Sequence, residues 1–195
     1  MFSIKPCAAG CGKPAITGSN LCFSHQASPE QERQRIVDYI KGNHVIRNLN
    51  VSGMHFRNIN LSGHHFYGCN FRETSFTECT LTRLEIMMSF FDFSEFDRCD
   101  FSNSDIQFLS FAGSQMNECS FEGSEIVHVN FEGSVITNTS FNNSNLYNSR
   151  FINADLSDTT FIDCNLKRTY FVSSKQKDIL FKSSNTAEAI FETEE

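Results

Sequence analysis

Three cysteines and a histidine near the start of the chain could do chemistry together: Cys7, Cys11, Cys22 and His25, in CAAGCGKPAITGSNLCFSH. The run Cys-x3-Cys-x10-Cys-x2-His supplies three thiolates and an imidazole, enough for a closed tetrahedral Zn²⁺ site. With four protein ligands no coordination position is left for a substrate, so the ion's role would be structural. Gly10, Gly12 and Gly18 allow the tight turns that such ligation needs. A leader of 27 residues has no core of its own, and metal ligation is how pieces of this size fold.

Catalytic constellations are absent from the rest of the sequence. There is no phosphate-cradling glycine loop, no nucleophile elbow and no His-Glu-x-x-His helix, so the chain is not expected to be an enzyme. A formal net charge of −7 argues against direct binding to nucleic acid or to anionic lipid. No apolar run is long enough to span a membrane. The N-terminus MFSIKPCAAG lacks the basic start and apolar stretch of a signal peptide, which predicts a cytoplasmic protein with thiols or metal ligands in preference to disulfides.

Three segments must position these groups. Residues 1–27 form the zinc-finger-like module. Residues 28–43 predict one capping helix, with Ser28 as N-cap, Pro29 in its first turn, Gln31 closing a capping box, Ile36, Val37 and Ile40 on one face and Gly42 as terminator. Residues 44–195 carry a period of five. From Ile46 to Phe171 every fifth residue is apolar, and 16 of the chain's 21 Phe occupy this slot or its continuation. A mostly small residue, such as Ser104, Ser114, Cys119 or Thr159, lies two places before it. Neither a helix of period 3.6 nor a flat strand of period 2 keeps this phase, so the backbone must turn once per five residues.

Ala154-Asp155-Leu156-Ser157-Asp158, with Ser144-Asn145-Leu146, Cys99-Asp100-Phe101 and Cys164-Asn165-Leu166, resembles the pentapeptide-repeat family over about three quarters of the chain. The resemblance implies an all-β fold, a right-handed quadrilateral β-helix with four pentapeptides per coil. The repeat from His44 to Thr193 would then make about 7.5 coils and a rod ~36 Å long. Residues 20 apart should stack, giving Phe columns through Phe71, Phe91 and Phe111 and through Phe101, Phe121 and Phe141, with aliphatic columns between them. The pattern weakens at Gln176 and Thr186, which predicts a distorted last coil. The leader similarly looks like the small Cys3His zinc modules at the ends of many bacterial and phage proteins, though its first spacing departs from the commoner Cys-x2-Cys.

A filled rod has only its outside to work with. The expected function is that of a protein-binding scaffold or adaptor; the alternative, implied by resemblance to the quinolone-resistance branch of the family, is a DNA-mimic regulator of DNA gyrase or a related topoisomerase. Leu84 to Glu132 carries a net charge of −9 from Glu85, Asp92, Glu95, Asp97, Asp100, Asp105, Glu118, Glu122, Glu125 and Glu132 against Arg98. Those acids should favour a basic protein partner. Met87, Met88, Phe108, Val127 and Tyr147 fall at outward places one or two after a core residue, with Phe90 and Phe93 nearby. They form either a recognition patch, a homodimer contact or local packing. Cys79, Cys99 and Cys119 fall in one stacked column, as small core residues or as a redox or metal ladder. His44 and His64 also stack at inward slots, in a widened coil or as ligands.

Overall fold

The computed structural model describes residues 5–192. From His44 onward the chain winds as a parallel β-solenoid in which each residue pairs with the one 20 places on: Ile46 with Phe66, Phe66 with Ile86, Ile86 with Ile106. Twenty residues at five per side give four faces. Face 1 is built on Ile46, Phe66, Ile86, Ile106 and Ile126, and face 3 on Phe56, Phe76, Phe96, Met116, Ile136, Leu156 and Gln176. Their three-residue strands stack into parallel sheets of five and seven strands. Faces 2 and 4, centred on Phe71, Phe91 and Phe111 and on Leu81, Phe101 and Phe121, are joined by single parallel bridges such as Asn70↔Phe90 and Thr80↔Asp100.

The core is a stack of rings. On face 2, Phe131 lies on Phe111 at 5.2 Å and under Phe151 at 4.6 Å. On face 4, Phe121 stacks on Phe101 at 4.7 Å and on Phe141 at 5.0 Å. The two ladders meet edge to face, as Phe141 and Phe151 do at 5.6 Å and 87°. Offset stacks and edge-on contacts are the two arrangements the ring quadrupole favours. Near the start of the rod a third Phe column stands on face 3, at Phe56, Phe76 and Phe96, while face 4 carries Leu61 and Leu81. The large residue moves from face 3 to face 4 between Phe96 and Met116, which keeps the enclosed volume filled as the coils advance.

The small slot is a hydrogen-bond column. Ser144 Oγ donates to the Phe121 carbonyl at 2.7 Å and accepts the Ser124 N–H at 3.1 Å. Ser149 does the same for the Ile126 carbonyl and the Val129 N–H. Buried backbone groups that the coil-to-coil ladder leaves over are thereby paired.

Every residue two places after a core residue, from Asn48 to Ser183, has a left-handed backbone. These are the exposed corners. Gly53, Gly113 and Asn143 suit that conformation; Met88, Phe93 and Phe108 do not, since a side chain there meets its own carbonyl at a cost of about 1–2 kcal/mol.

The rod's first coil is covered by α1 (Pro29–Lys41), whose Ile36, Val37 and Ile40 join the same core as Ile46 and Leu49. Ser28 makes no side-chain capping bond, so the expected capping box is not formed; Pro29 opens the helix, and the Gly42 N–H on the Asp38 carbonyl closes it in a right-handed conformation. At the far end the three residues around Gln176 are paired yet all exposed, and a 3-10 turn at Thr186–Glu188 stands at the face 1 position. A polar side chain in the core slot cannot hold the coil shut, as expected from the sequence. Thr193 lies outside the described residues. No helix among them is long and apolar enough to cross a membrane.

Candidate metal centre and interaction surface

The leader folds back on itself. The Cys7 N–H bonds to the Lys13 carbonyl at 2.9 Å, Ala15 to Lys5 at 2.8 Å and Ile16 to Leu21 at 3.0 Å. Those turns bring Cys7, Cys11, Cys22 and His25 together with one donor atom each, all within 4.8 Å of one another. Cys11 Sγ is 3.6 Å from Cys22 Sγ, and His25 Nδ1 is 3.5 Å from Cys7 Sγ and 3.4 Å from Cys22 Sγ. A tetrahedral ion with ordinary thiolate and imidazole bond lengths needs edges of about 3.8 Å between sulfurs and about 3.6 Å from sulfur to nitrogen. The four groups can therefore hold a metal ion with little movement. Two of the three thiols, Cys7 and Cys22, are shifted toward the thiolate, and Cys11 is shifted away from it. The Cys22 N–H points at Cys7 Sγ at 3.3 Å and draws that thiol down to about 6, while hydrogen bonds with Cys7 and then Cys22 raise the His25 imidazole.

On the rod, face 1 and its corner bring together most of the apolar residues picked out in the sequence. Met88 and Phe108 stand exposed one coil apart, 58% and 54% accessible, and Met87 and Val127 are half-buried beside them. The Phe108 ring stacks on His128 at 5.0 Å and 8°; Tyr147 meets His128 edge-on, and Asn148 Nδ2 bonds His128 Nδ1 at 2.6 Å. His128 escaped sequence reasoning, although the spacing of 20 from Met88 through Phe108 pointed to it. Phe93, 69% accessible, is on the next corner over Gly113, and the Phe90 ring on face 2 is covered by Arg72 at 4.2 Å.

The ten acids do not form one stripe. Glu85, Asp105 and Glu125 stack in register on face 1, at the opposite end of each three-residue strand from the apolar corner. Glu95, Asp97 and Glu118 belong to face 3 and its corner, Asp92 and Glu132 to face 2, and Asp100 and Glu122 to face 4. Several are paired already: Asp92 with Arg72 at 2.7 Å, Asp97 with Arg98 at 2.8 Å and Glu85 with His65 at 3.0 Å. The segment is acidic all round, with Glu95, Glu118, Glu122, Glu125 and Glu132 most open to solvent.

The five-residue register and the 20-residue coil coincide with two family models, one described as pentapeptide repeats (8 copies), matching residues 47–83 and 94–133, and one as a pentapeptide repeat region, matching residues 114–191. The chain belongs to the pentapeptide-repeat family. Among solved structures, trypsin-treated QnrB1, a plasmid-mediated fluoroquinolone resistance protein, is similar at 18% identity and a TM-score of 0.61, over 72% of this chain and 74% of its own. HetL from the cyanobacterium Nostoc, a pentapeptide-repeat protein involved in heterocyst differentiation regulation, has 11% identity and a TM-score of 0.41 over 80% and 95% of the two chains. Rfr23 from the cyanobacterium Cyanothece has 12% and 0.43 over 81% and 98%. Such identities speak to the fold alone. No curated protein sequence matches this chain.

Pentapeptide-repeat proteins are generally structural or binding proteins, and the interior of this rod is packed closed. The gap among Leu61, Phe71, Phe91 and their neighbours is about 10 Å³, at the limit for one water. The buried thiols behave as core. Cys79, Cys99 and Cys119 each donate to a carbonyl of the preceding coil at 3.4–3.7 Å, as the serines do. The neighbouring Cys119 thiol pushes Cys99 up to about 12, and burial pushes Cys69 up to about 11, so neither is a thiolate at neutral pH. His44 is exposed and His64 half-buried, its Nδ1 2.9 Å from the Leu61 carbonyl, so this pair does not widen the core.

Proposed function

We propose that this pentapeptide-repeat protein is a non-enzymatic scaffold that presents the face 1 corner of its rod to a protein partner. The observation that carries this reading is the exposure of Met88 and Phe108 on successive coils, at left-handed corners where glycine or asparagine would be less strained. Glu85, Asp105 and Glu125 line the same face and favour a basic partner, whose binding weakens with salt. The test is the double variant Met88→Ser with Phe108→Ser. Circular dichroism should be unchanged, and affinity for a partner captured from the native host should fall at least tenfold. Unchanged partners and unchanged oligomeric state would remove this face from consideration.

The second reading, a DNA-mimic protector of gyrase, rests on the −9 charge from Leu84 to Glu132. About 2.5 coils at ~4.8 Å each carry it, and duplex DNA of that length, ~12 Å, presents ~7 charges. The distribution of these acids over four faces favours the scaffold reading. A supercoiling assay with purified gyrase, with and without the protein, decides between the two.

The ion in the leader is proposed to be a structural Zn²⁺ on Cys7, Cys11, Cys22 and His25, supported by three soft thiolates, one imidazole and near-tetrahedral edges. Elemental analysis of protein purified without chelator should return one zinc per chain.

A further inference from the structure

We propose that the metal module is the end cap of the solenoid, standing where a preceding coil would stand, so that metal binding and order in the first coil are coupled; this rests on the zinc reading above. Inside the rod each coil is bonded on both sides. The Asn70 N–H, for example, reaches the Leu49 carbonyl at 2.7 Å, and the Asn70 carbonyl accepts from Val51 at 2.9 Å. Asn50 occupies the same place in the first repeat coil, where no coil precedes it.

Thr17 supplies what is missing. Its N–H bonds the Asn50 carbonyl at 3.0 Å, and its Oγ1 accepts the Asn50 N–H at 2.7 Å. The Asn50 side chain reaches the Ala15 carbonyl and accepts from Asn70 Nδ2, continuing one ladder from the leader into the second coil. Ile16, 1% accessible, lies in one continuous core with Ile36, Val37, Ile40, Leu49 and Val51. Two outer contacts fix the module sideways, Lys13 with Glu73 at 2.8 Å and the Phe23 ring edge-on to His55 at 5.7 Å.

The capping residues Ala15, Ile16 and Thr17 all lie between the ligands Cys11 and Cys22. Closing the four ligands around an ion therefore sets the geometry of the segment that closes the rod. Without the ion, that segment has too little apolar burial to hold itself in place. Coupling of this kind is reciprocal: if zinc orders the first coil, the first coil must tighten zinc binding.

The experiment uses the full chain and zinc itself. Stripping the metal with chelator should speed amide exchange at Thr17 and Asn50 at least tenfold and leave amides around Phe131 unchanged. In the other direction, Thr17→Val removes the acceptor for the Asn50 N–H without touching a ligand. It should keep one zinc per chain but bind it about tenfold more weakly, and Thr17→Ser should restore the affinity. Zinc removal with no change at Asn50, or wild-type affinity in Thr17→Val, overturns the cap. Failure to bind zinc at all overturns the zinc reading, and the cap with it.

Discussion

Replacing Phe131 by Ala tests whether the ring stack holds the rod together. The side chain is fully buried between Phe111 at 5.2 Å and Phe151 at 4.6 Å, with Phe121 and Phe141 edge-on at 6.4 and 5.8 Å. Truncating a buried Phe costs about 3–5 kcal/mol, depending on how far the surroundings collapse into the space. Here they are held apart. Phe131 N–H bonds the Arg150 carbonyl and Phe111 N–H the Asn130 carbonyl, each at 2.7 Å, so the peptide ladders fix the coil spacing above and below the gap. The loss should lie near the upper end, about 5 kcal/mol, a large part of a typical domain's stability. Phe191 offers the contrast. Among the described residues it stacks on Phe171 alone and meets Phe181 edge-on, and it is 37% accessible, so Phe191→Ala should cost about 1–2 kcal/mol. Denaturant unfolding followed by circular dichroism, with amide exchange to locate the opening, reads both variants. Equal destabilisation of the two would refute the closed, stacked core.

The corner geometry and the metal-free leader give two further expectations. Gly113 has φ +64°, and a Cβ there would stand 2.7 Å from the Phe93 ring, so Gly113→Ala should destabilise by about 1–2 kcal/mol. In a Phe93→Ser background only the left-handed penalty, about 1 kcal/mol, should remain; a full thermal-unfolding double-mutant cycle with no coupling would contradict the ring contact. In the metal-free protein, Cys7 titrates near 6 against an ordinary 9.0, because the Cys22 N–H favours its thiolate. A depressed value means that its contribution to leader order is fully present above pH 9 and is lost as the pH falls through 6. The Cys7 thiolate itself, followed in chelator by its alkylation rate from pH 9.5 to 5.5, should persist well below the pH at which an ordinary thiol is protonated.

The five-residue register was legible because a core slot refilled with Phe or an aliphatic residue leaves a signal that no other backbone geometry would produce. The paired Phe ladders and the weak coil at Gln176 and Thr186 followed from the same counting. The early column through Phe56, Phe76 and Phe96 obeys the rule but changes faces, so a fixed aromatic-aliphatic alternation misses it. The left-handed corners were written in Gly53, Gly63, Gly123 and Asn143, but only as a preference at an exposed place. Charge read along the chain makes one acidic segment, and folding by 20 spreads it around the rod. The approach of the four metal ligands could be read from their spacing; the meeting of Thr17 with Asn50 could not, because one capping contact has no period.

A coil of exactly four equal sides makes the surface a matter of phase. Adding or removing five residues would leave every core slot filled, yet it would turn all later decoration by a quarter of the rod relative to what came before. Met88 and Phe108 share a corner only because 20 residues separate them. A single pentapeptide inserted between them would keep the fold and send them to different sides. Lineages of such a rod can therefore lengthen by whole coils without losing a binding edge, while changes of one pentapeptide reshuffle which residues meet a partner. Recognition in this architecture is inherited in steps of 20, even though folding proceeds in steps of five.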